Sequence, residues 1–251
     1  MSMADEVSRR LTGLYGEDPA TARGVLHVTA TWRAPDMTLR VIRVGPESPR
    51  SDSDGFALRA ARMRADALLT TGKILRDEPD VRHLERDEAL LAWRRERVGR
   101  RAQPRTVVLT SGRELDLGHP LLRTAHEPLI VTGEDGAAAL ERAALASAPR
   151  VSIVVRSAPG IRDTVALLRE RGCESILIEA GPTTAAALYD EPVLVDELLL
   201  SVYQAPSIAE ELVGPVFVSP TRLATLFARR SDPVRIDEPS GSWSFSRWVR
   251  R

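Results

Sequence analysis

The strongest constraint on the fold of this chain is a strand–turn–helix junction at residues 176–188. A short apolar run at 176–178 ends in Glu179, which is followed by a small residue, a glycine and Pro182 before an alanine-rich stretch. Proline's fixed φ suits the first turn of a helix, so the pattern predicts a buried strand, a tight turn and a helix. Such a turn directs unpaired backbone N–H groups to one point beyond the strand, where phosphate commonly binds. A single glycine is a weak fingerprint of phosphate binding. For this segment alone, a junction that binds no ligand is therefore an equally good interpretation.

A second junction of the same kind lies at residues 67–77. Its apolar run leads into Thr71, Gly72 and Lys73, and Lys73 is the single lysine of the chain. A compact ammonium beside a glycine suits phosphate as a point charge. The alternative is a solvated surface lysine.

The remaining pattern is an alternation of strand-like and helix-like segments. Strands are predicted at 25–31, 38–44, 106–110, 128–132 and 151–155, and helices at 56–64, 80–97, 136–146 and 162–171. Alternation of this kind predicts a parallel sheet with right-handed crossovers. Beyond residue 206 short strands at 216–218, 223–229 and 243–247 predict antiparallel edges. We therefore expect one α/β domain over residues 21–251, preceded by an N-terminal arm at 1–20.

The composition narrows the classes of function. Lys and Arg number 35, Asp and Glu also number 35, and the formal net charge is zero, which argues against a nucleic-acid partner. The arginines at 94–101 alternate with acids, and an exposed, salt-bridged helix is a better interpretation than an anion site. One cysteine, Cys173, precludes an internal disulfide, and the four histidines lack metal-ligand spacing, so no metal site is expected. With neither a membrane-length apolar run nor a signal-peptide pattern, a cytoplasmic protein with no membrane partner is expected.

Taken together, the two junctions resemble the reductase domain of the bifunctional riboflavin-biosynthesis deaminase/reductase family. In that family an Ala-Asp-Ala strand opening leads to an Asp-Asp-Pro-like ending, which Ala65-Asp66-Ala67 and Asp77-Glu78-Pro79 match here. The family's Glu-Gly-Gly-Pro-Thr strand ending is matched by residues 179–183, and its Leu-Val-Asp-Glu-Leu strand entry by residues 194–198. The resemblance covers roughly residues 50–217, and the order of the three motifs makes it more specific than any one of them.

The resemblance implies a dihydrofolate-reductase-like α/β fold, with a mostly parallel central sheet flanked by helices and antiparallel C-terminal edge strands. It also implies a homodimer that uses NADPH to reduce a pyrimidine- or pterin-like small molecule, in the manner of 5-amino-6-(5-phosphoribosylamino)uracil reductase. The cofactor-binding residues it implies are Thr71, Gly72, Lys73, Thr132, Gly133, Arg156, Glu179, Ala180, Gly181, Pro182 and Thr183. Asp77 is the favoured proton donor, ahead of Asp52 and Asp54, because it lies in a matching motif. Acids at helix starts are more often caps.

The sequence also departs from the family in three places. The Ser-Leu-Asp-Gly-type segment of the first strand is missing between residues 25 and 44. The first glycine turn is one residue short, with Lys73 where a threonine is usual, and Ala180 replaces the first of two glycines in the second. Beside a pyrophosphate, a Cβ at this position blocks close backbone approach if φ must be positive. The zinc deaminase signature is excluded because Cys173 has no second cysteine to pair with. The alternative function is therefore a catalytically degenerate relative that serves as a nucleotide-binding or assembly protein.

Overall fold

A computed structural model describes residues 1–45, 47–112, 115–147 and 150–251, with only the backbone described at 143–147. The helices in these residues are α1 (Met3–Tyr15), α2 (Asp52–Arg64), α3 (Gly72–Asp77), α4 (Glu88–Trp93), α5 (Pro120–Thr124), α6 (Glu134–Ser147), α7 (Ile161–Glu170), α8 (Pro182–Ala186) and α9 (Pro220–Leu226). The strands are β1 (Gly24–Arg33), β2 (Leu39–Ile42), β3 (Ala67–Thr71), β4 (Arg105–Leu109), β5 (His126–Thr132), β6 (Ser152–Val155), β7 (Ser175–Ile178), β8 (Glu197–Tyr203), β9 (Val213–Val216), β10 (Phe227–Arg229), β11 (Val234–Glu238) and β12 (Gly241–Arg250).

The strands form one sheet in the order β10-β12-β8-β1-β7-β3-β4-β5-β6. From β8 to β6 all neighbours are parallel, whereas β12 pairs antiparallel with β8, β10 and β11, and β2 pairs antiparallel with β1 and β9. The predicted parallel sheet with antiparallel C-terminal edge strands and flanking helices is therefore confirmed. The carboxyl ends of the seven parallel strands share one edge of the sheet, which is where α/β proteins commonly bind ligands.

The two faces of the sheet are covered by different helices. Alternate residues of the central strands pack on α1, α2 and α4 on one face and on α7, α8 and α9 on the other. In β7 all four residues are buried, as expected for a strand covered on both faces. Burial on both sides explains why the central strands read as short continuous apolar runs in the sequence.

The N-terminal helix α1 is part of this packing. Ser2 caps it with a reciprocal Ser2–Asp5 capping box, and Val7, Leu11 and Tyr15 are buried in the cluster that also contains α2 and α4. The division into an arm at 1–20 and a domain at 21–251 stays a prediction.

Three segments differ from the secondary structure predicted from sequence. The helix predicted after Pro79 begins only at Glu88, because Asp87 is the cap that accepts from the first backbone N–H groups of α4. Part of the strand predicted at 223–229 is helix α9, which Ser219 caps and Pro220 starts, a start signal that the apolar pattern obscured. Helix α5, with Pro120 at its first turn, lies between the strands predicted at 106–110 and 128–132, where no helix was predicted.

The arginine-rich segment at 94–101 is also only partly the exposed helix expected. It continues α4 as a π-helical turn, Arg94–Val98. Arg94 is buried and donates to the backbone carbonyl oxygens of Met63 and Ala102, so this cation holds chain segments together instead of lying in solvent. Cys173, expected to be buried, is half-buried against the apolar cluster beneath α7.

Candidate functional site

The predicted cofactor residues all lie at the carboxyl ends of parallel strands. Residues 71–73 end β3 and begin α3, residues 132–133 end β5, Arg156 follows β6, and residues 179–183 follow β7 and begin α8. The sheet thus brings the predicted residues to one edge, although their roles in binding stay predictions. The local packing divides them into two groups.

The turns after β3, β4 and β5 are packed against each other. A Cβ added to Gly72 would lie 2.6 Å from Thr110 Oγ1, and one added to Gly136 would lie 2.4 Å from the carbonyl oxygen of Ser111. Gly112, with φ near +81°, adopts the left-handed backbone that favours glycine and lies directly against Gly136. These glycines allow neighbouring turns of the same chain to pack closely against each other.

The charged residues on this side of the edge already have protein partners. Lys73 Nζ lies 2.6 Å from Asp77 Oδ2, in an exposed pair within α3, so the predicted phosphate-binding cation and the predicted proton donor bind each other. Arg156, another of the predicted cofactor-binding residues, lies 3.8 Å from Asp163 and 3.7 Å from Glu170 of α7. Thr71 caps α3 through its hydroxyl, and Thr132 is fully buried.

The turn after β7 is held by a buried ion pair. Both carboxylate oxygens of Glu179 accept from Arg62 of α2, each at 2.7 Å, and His83 Nε2 lies 3.6 Å away. Burial by itself raises the pKa of Glu179, but the charge and hydrogen bonds of Arg62, with a smaller contribution from His83, hold that pKa far below its usual range. Glu179 therefore anchors the turn to α2 as a carboxylate.

The backbone of the same turn is open to a neighbouring space. A Cβ added to Gly181 would meet no atom within 4 Å. Ala180 has no positive φ, and its side chain packs against the apolar cluster behind the turn, so the methyl group that replaces a family glycine introduces no backbone strain. The departure at Ala180 is compatible with the turn's shape.

Beside this turn lies a cavity of about 540 Å³ on the face of the sheet covered by α8 and α9. Ala180, Pro182 and Thr183 line it, whereas Gly181 does not. The segment 215–219, which includes the end of β9, also lines it, as do residues of β1 and the end of α8. None of residues 71–73, 132–133 or 156 lines this cavity.

Aromatic and polar side chains that sequence reasoning did not single out complete the cavity. His27 Nδ1 lies 2.8 Å from Tyr189 Oη, and the Tyr189 ring packs edge-on against Phe217 with ring centres 5.3 Å apart. Burial lowers the pKa of His27 to about 4 and raises the pKa of Tyr189 well above its ordinary value. In the sequence, the one available signal for these cavity residues was a lone histidine inside an apolar strand at Val25–Val28. No local pattern indicates that the segment containing Phe217 packs beside it.

The residues that the structure describes contain neither a metal-ligand cluster nor a membrane-spanning helix. No cluster of three or more His, Cys, Asp or Glu side chains there has the arrangement of a metal site. None of the described helices combines the length and apolarity needed to cross a bilayer.

Comparison with known proteins identifies a family over most of the chain. The family described as the RibD C-terminal domain matches residues 43–227. No curated protein sequence matches the chain significantly.

Solved structures with the same fold include two reductases or reductase-like proteins and a RibD protein. A pyrimidine reductase-like protein from Corynebacterium diphtheriae is 20% identical, with a TM-score of 0.65 over 100% of this chain and 99% of that one. RibD from Acinetobacter baumannii is 17% identical with a TM-score of 0.61, and 96% of this chain covers 59% of that protein. The riboflavin biosynthesis reductase Rib7 from Saccharomyces cerevisiae is 14% identical with a TM-score of 0.53, over 97% of this chain and 100% of that one. At these identities the likeness establishes the fold, which is the dihydrofolate-reductase-like fold expected.

Proposed function

This chain belongs to the RibD C-terminal domain family, and on that premise we propose that it is an NADPH-dependent reductase of a pyrimidine- or pterin-like metabolite. The expected reaction resembles that of 5-amino-6-(5-phosphoribosylamino)uracil reductase. The observation that carries the proposal is the cavity beside the turn after β7, because the motif residues Ala180, Pro182 and Thr183 line it.

The turn itself suits a dinucleotide. Gly181 leaves its backbone open, and Thr183 lines the cavity. The Arg62–Glu179 ion pair fixes the position of this turn relative to the sheet, so that any group bound there is held in one place. Bound NADPH would supply the hydride, and the chain would orient the acceptor and exclude water.

Asp77 is the proposed proton donor because it lies in a matching motif. It is about half exposed, pairs with Lys73 and does not line the cavity. Asp54, the alternative in α2, has a carboxyl whose pKa is raised by burial. We expect Asp77→Asn to lower kcat, measured as the steady-state oxidation of NADPH.

The alternative function is that of a catalytically degenerate relative that serves as a nucleotide-binding or assembly protein. It is favoured by the departures in β1 and by the partners that Lys73, Asp77 and Arg156 already have within the protein. Calorimetric titration with NADPH and NADH, followed by the absorbance of NADPH in the presence of a ribosylaminopyrimidine, separates the two. Saturable binding and oxidation of NADPH support the reductase, and binding without oxidation supports a nucleotide-binding relative. No binding of either nucleotide at sub-millimolar concentration contradicts the reductase and leaves the assembly protein.

We propose in addition that the protein is a cytoplasmic homodimer, as the family resemblance implies. The interface is not expected on β8, because that strand lies between β1 and β12 inside the sheet and its side chains belong to the core. Sedimentation equilibrium over a range of protein concentrations tests the dimer.

A further inference from the structure

The closed end of the cavity is built from three aromatic rings that belong to no family motif quoted above. The ring centres of His27 and Tyr189 are 5.7 Å apart, those of His27 and Phe217 are 6.2 Å apart, and those of Tyr189 and Phe217 are 5.3 Å apart. All three side chains line the cavity, and His27 is only 3% exposed. Edge-on and tilted rings at these distances form a surface against which a further flat ring packs favourably.

The hydrogen bond between Tyr189 and His27 has a preferred direction. Tyr189 is 2% exposed, and its hydroxyl has no other hydrogen-bond partner among the described residues. If the neutral His27 donated through Nδ1–H, both the Tyr189 hydroxyl hydrogen and the Nε2 lone pair would lack a partner. When the Tyr189 O–H donates to Nδ1, only the Nε2–H lacks one, so we assign this direction. Because burial keeps this imidazole neutral, its single hydrogen must then lie on Nε2.

His27 Nε2 consequently carries a hydrogen that no described residue accepts. A leucine or phenylalanine would fill the same position in β1 without an N–H donor that needs a partner. The side chain instead borders a cavity large enough for a ligand ring. An unsatisfied donor beside such a space is the arrangement expected of a ligand-binding group.

We propose that the Nε2–H of His27 donates to the carbonyl of a flat heteroaromatic ring bound in this cavity, and that Tyr189 holds His27 in the tautomer able to do so. The ring is either the carboxamide-bearing nicotinamide of the cofactor or the carbonyl-bearing pyrimidine of the substrate, which present the same acceptor. The inference rests on the proposed function and adds to it the residue that orients the ring. The other charged groups that line the cavity are Asp190 and Arg222, and Arg222 donates to the backbone carbonyl of Tyr189, 2.6 Å away.

The test compares the full-length wild type with His27→Phe, which keeps a ring and removes the donor. Three probes are titrated: NADPH, 2′-phospho-ADP-ribose, which lacks the nicotinamide, and uridine 5′-monophosphate as a pyrimidine. If the ring is nicotinamide, we expect NADPH to bind about fivefold to tenfold more weakly while 2′-phospho-ADP-ribose is unaffected, since one neutral hydrogen bond is lost. If the ring is the pyrimidine, only uridine 5′-monophosphate weakens.

The outcomes separate this inference from the proposed function. A folded His27→Phe protein that binds all three probes like the wild type overturns the role of His27 and leaves the reductase proposal standing. Failure of the wild type to bind any of the three probes overturns both.

A second measurement needs no variant. In wild-type protein labelled with ¹⁵N-histidine, the imidazole spectrum of His27 should show a protonated Nε2 and an unprotonated Nδ1, and the Nε2 signal should move when the binding probe is added. Tyr189→Phe should abolish the preference for this tautomer. A protonated Nδ1 in the wild type, or an Nε2 signal unmoved at saturating ligand, overturns the proposal.

Discussion

The turns after β3 and β7 look alike in sequence and differ in almost every physical respect in the structure. Both follow a short buried strand, contain one glycine and begin a helix. Gly72 is enclosed by Thr110, whereas Gly181 faces open space beside a cavity. A glycine at a strand–helix junction can therefore make room either for another segment of the chain or for a ligand. The tertiary contacts around the glycine determine which of the two it is.

The ion pairs of the two turns show the same contrast. Lys73 and Asp77 are 70% and 52% exposed, while Arg62 and Glu179 are 16% and 17% exposed. Exposed pairs contribute little to stability because water screens them, whereas removing one partner of a mostly buried pair leaves an uncompensated charge. The β7 turn is thus fixed by electrostatics, and the β3 turn by packing.

The largest expected effect is that of breaking the buried pair. Glu179→Gln should lower the free energy of unfolding by about 3 kcal/mol, because Arg62 then stays buried without its counter-charge. The matched change on the other turn, Asp77→Asn, should cost about 0.5 kcal/mol or less. Urea denaturation measures both, and equal losses would remove the electrostatic difference between the turns.

The cavity beside the β7 turn should also make the protein sensitive to mild acid. His27 has a pKa lowered from 6.5 to about 4, so the unfolded chain binds its proton more readily than the folded protein between those values. Stability therefore falls as pH is lowered through this window, by about 2 kcal/mol at pH 5. His27→Phe should remove this portion of the acid sensitivity between pH 7 and 5. The depressed pKa values of Glu179 and Glu197 lower stability mainly below about pH 4.5, so a comparison between pH 7 and 5 isolates most of the histidine contribution.

Adding a methyl group to each glycine compares the two turns directly. Gly72→Ala should destabilise the protein by about 1–2 kcal/mol, because its Cβ would overlap the Thr110 side chain. Gly181→Ala, with φ near −58° and no neighbouring atom, should leave the melting temperature unchanged and weaken NADPH binding instead. If Gly181→Ala proves the more destabilising of the two, the distinction between a packing glycine and an open glycine is wrong.

The smallest expected effect is that of the single lysine. Lys73→Ala should weaken NADPH binding by about 1 kcal/mol, the order of one charge-assisted contact, after Lys73 leaves Asp77 for the phosphate. Lys73→Arg, which keeps the charge, is the matched control and should retain most of the affinity. Identical affinities in all three proteins would mean that the β3 turn does not contact the cofactor.

Much of the fold could be predicted from the sequence by rules that concern neighbouring residues. The buried strands at 67–71 and 175–178 are continuous apolar runs, and Pro182 and Ser51 mark helix starts by rules that involve only neighbouring residues. Prediction failed where a local signal competed with packing. Apolar residues at 223–226 fit a strand as well as a helix, and the helix exists because Ser219 and Pro220 start it and Leu223 is buried in the core.

Only part of the candidate site could be predicted from the sequence, because tertiary packing determines the rest. The motif at 179–183 identified one wall of the cavity, but His27, Tyr189 and Phe217 come from three segments of the chain that the sheet topology brings together. The ion-pair partners of Glu179, Lys73 and Arg156 could not be predicted either, because the sequence around a charged side chain does not indicate which distant charge it will contact.

The sequence by itself determined the family, the strand–helix alternation and the edge of the sheet where the motif turns gather, since these follow from short-range patterning and from the parallel order of the strands. Only the tertiary structure decided which of two similar turns borders a cavity, which ion pair is mostly buried, and that a lone histidine in β1 lines that cavity. Those properties depend on distances between residues up to 190 positions apart, as His27 and Phe217 are, and such distances exist only once the chain has folded.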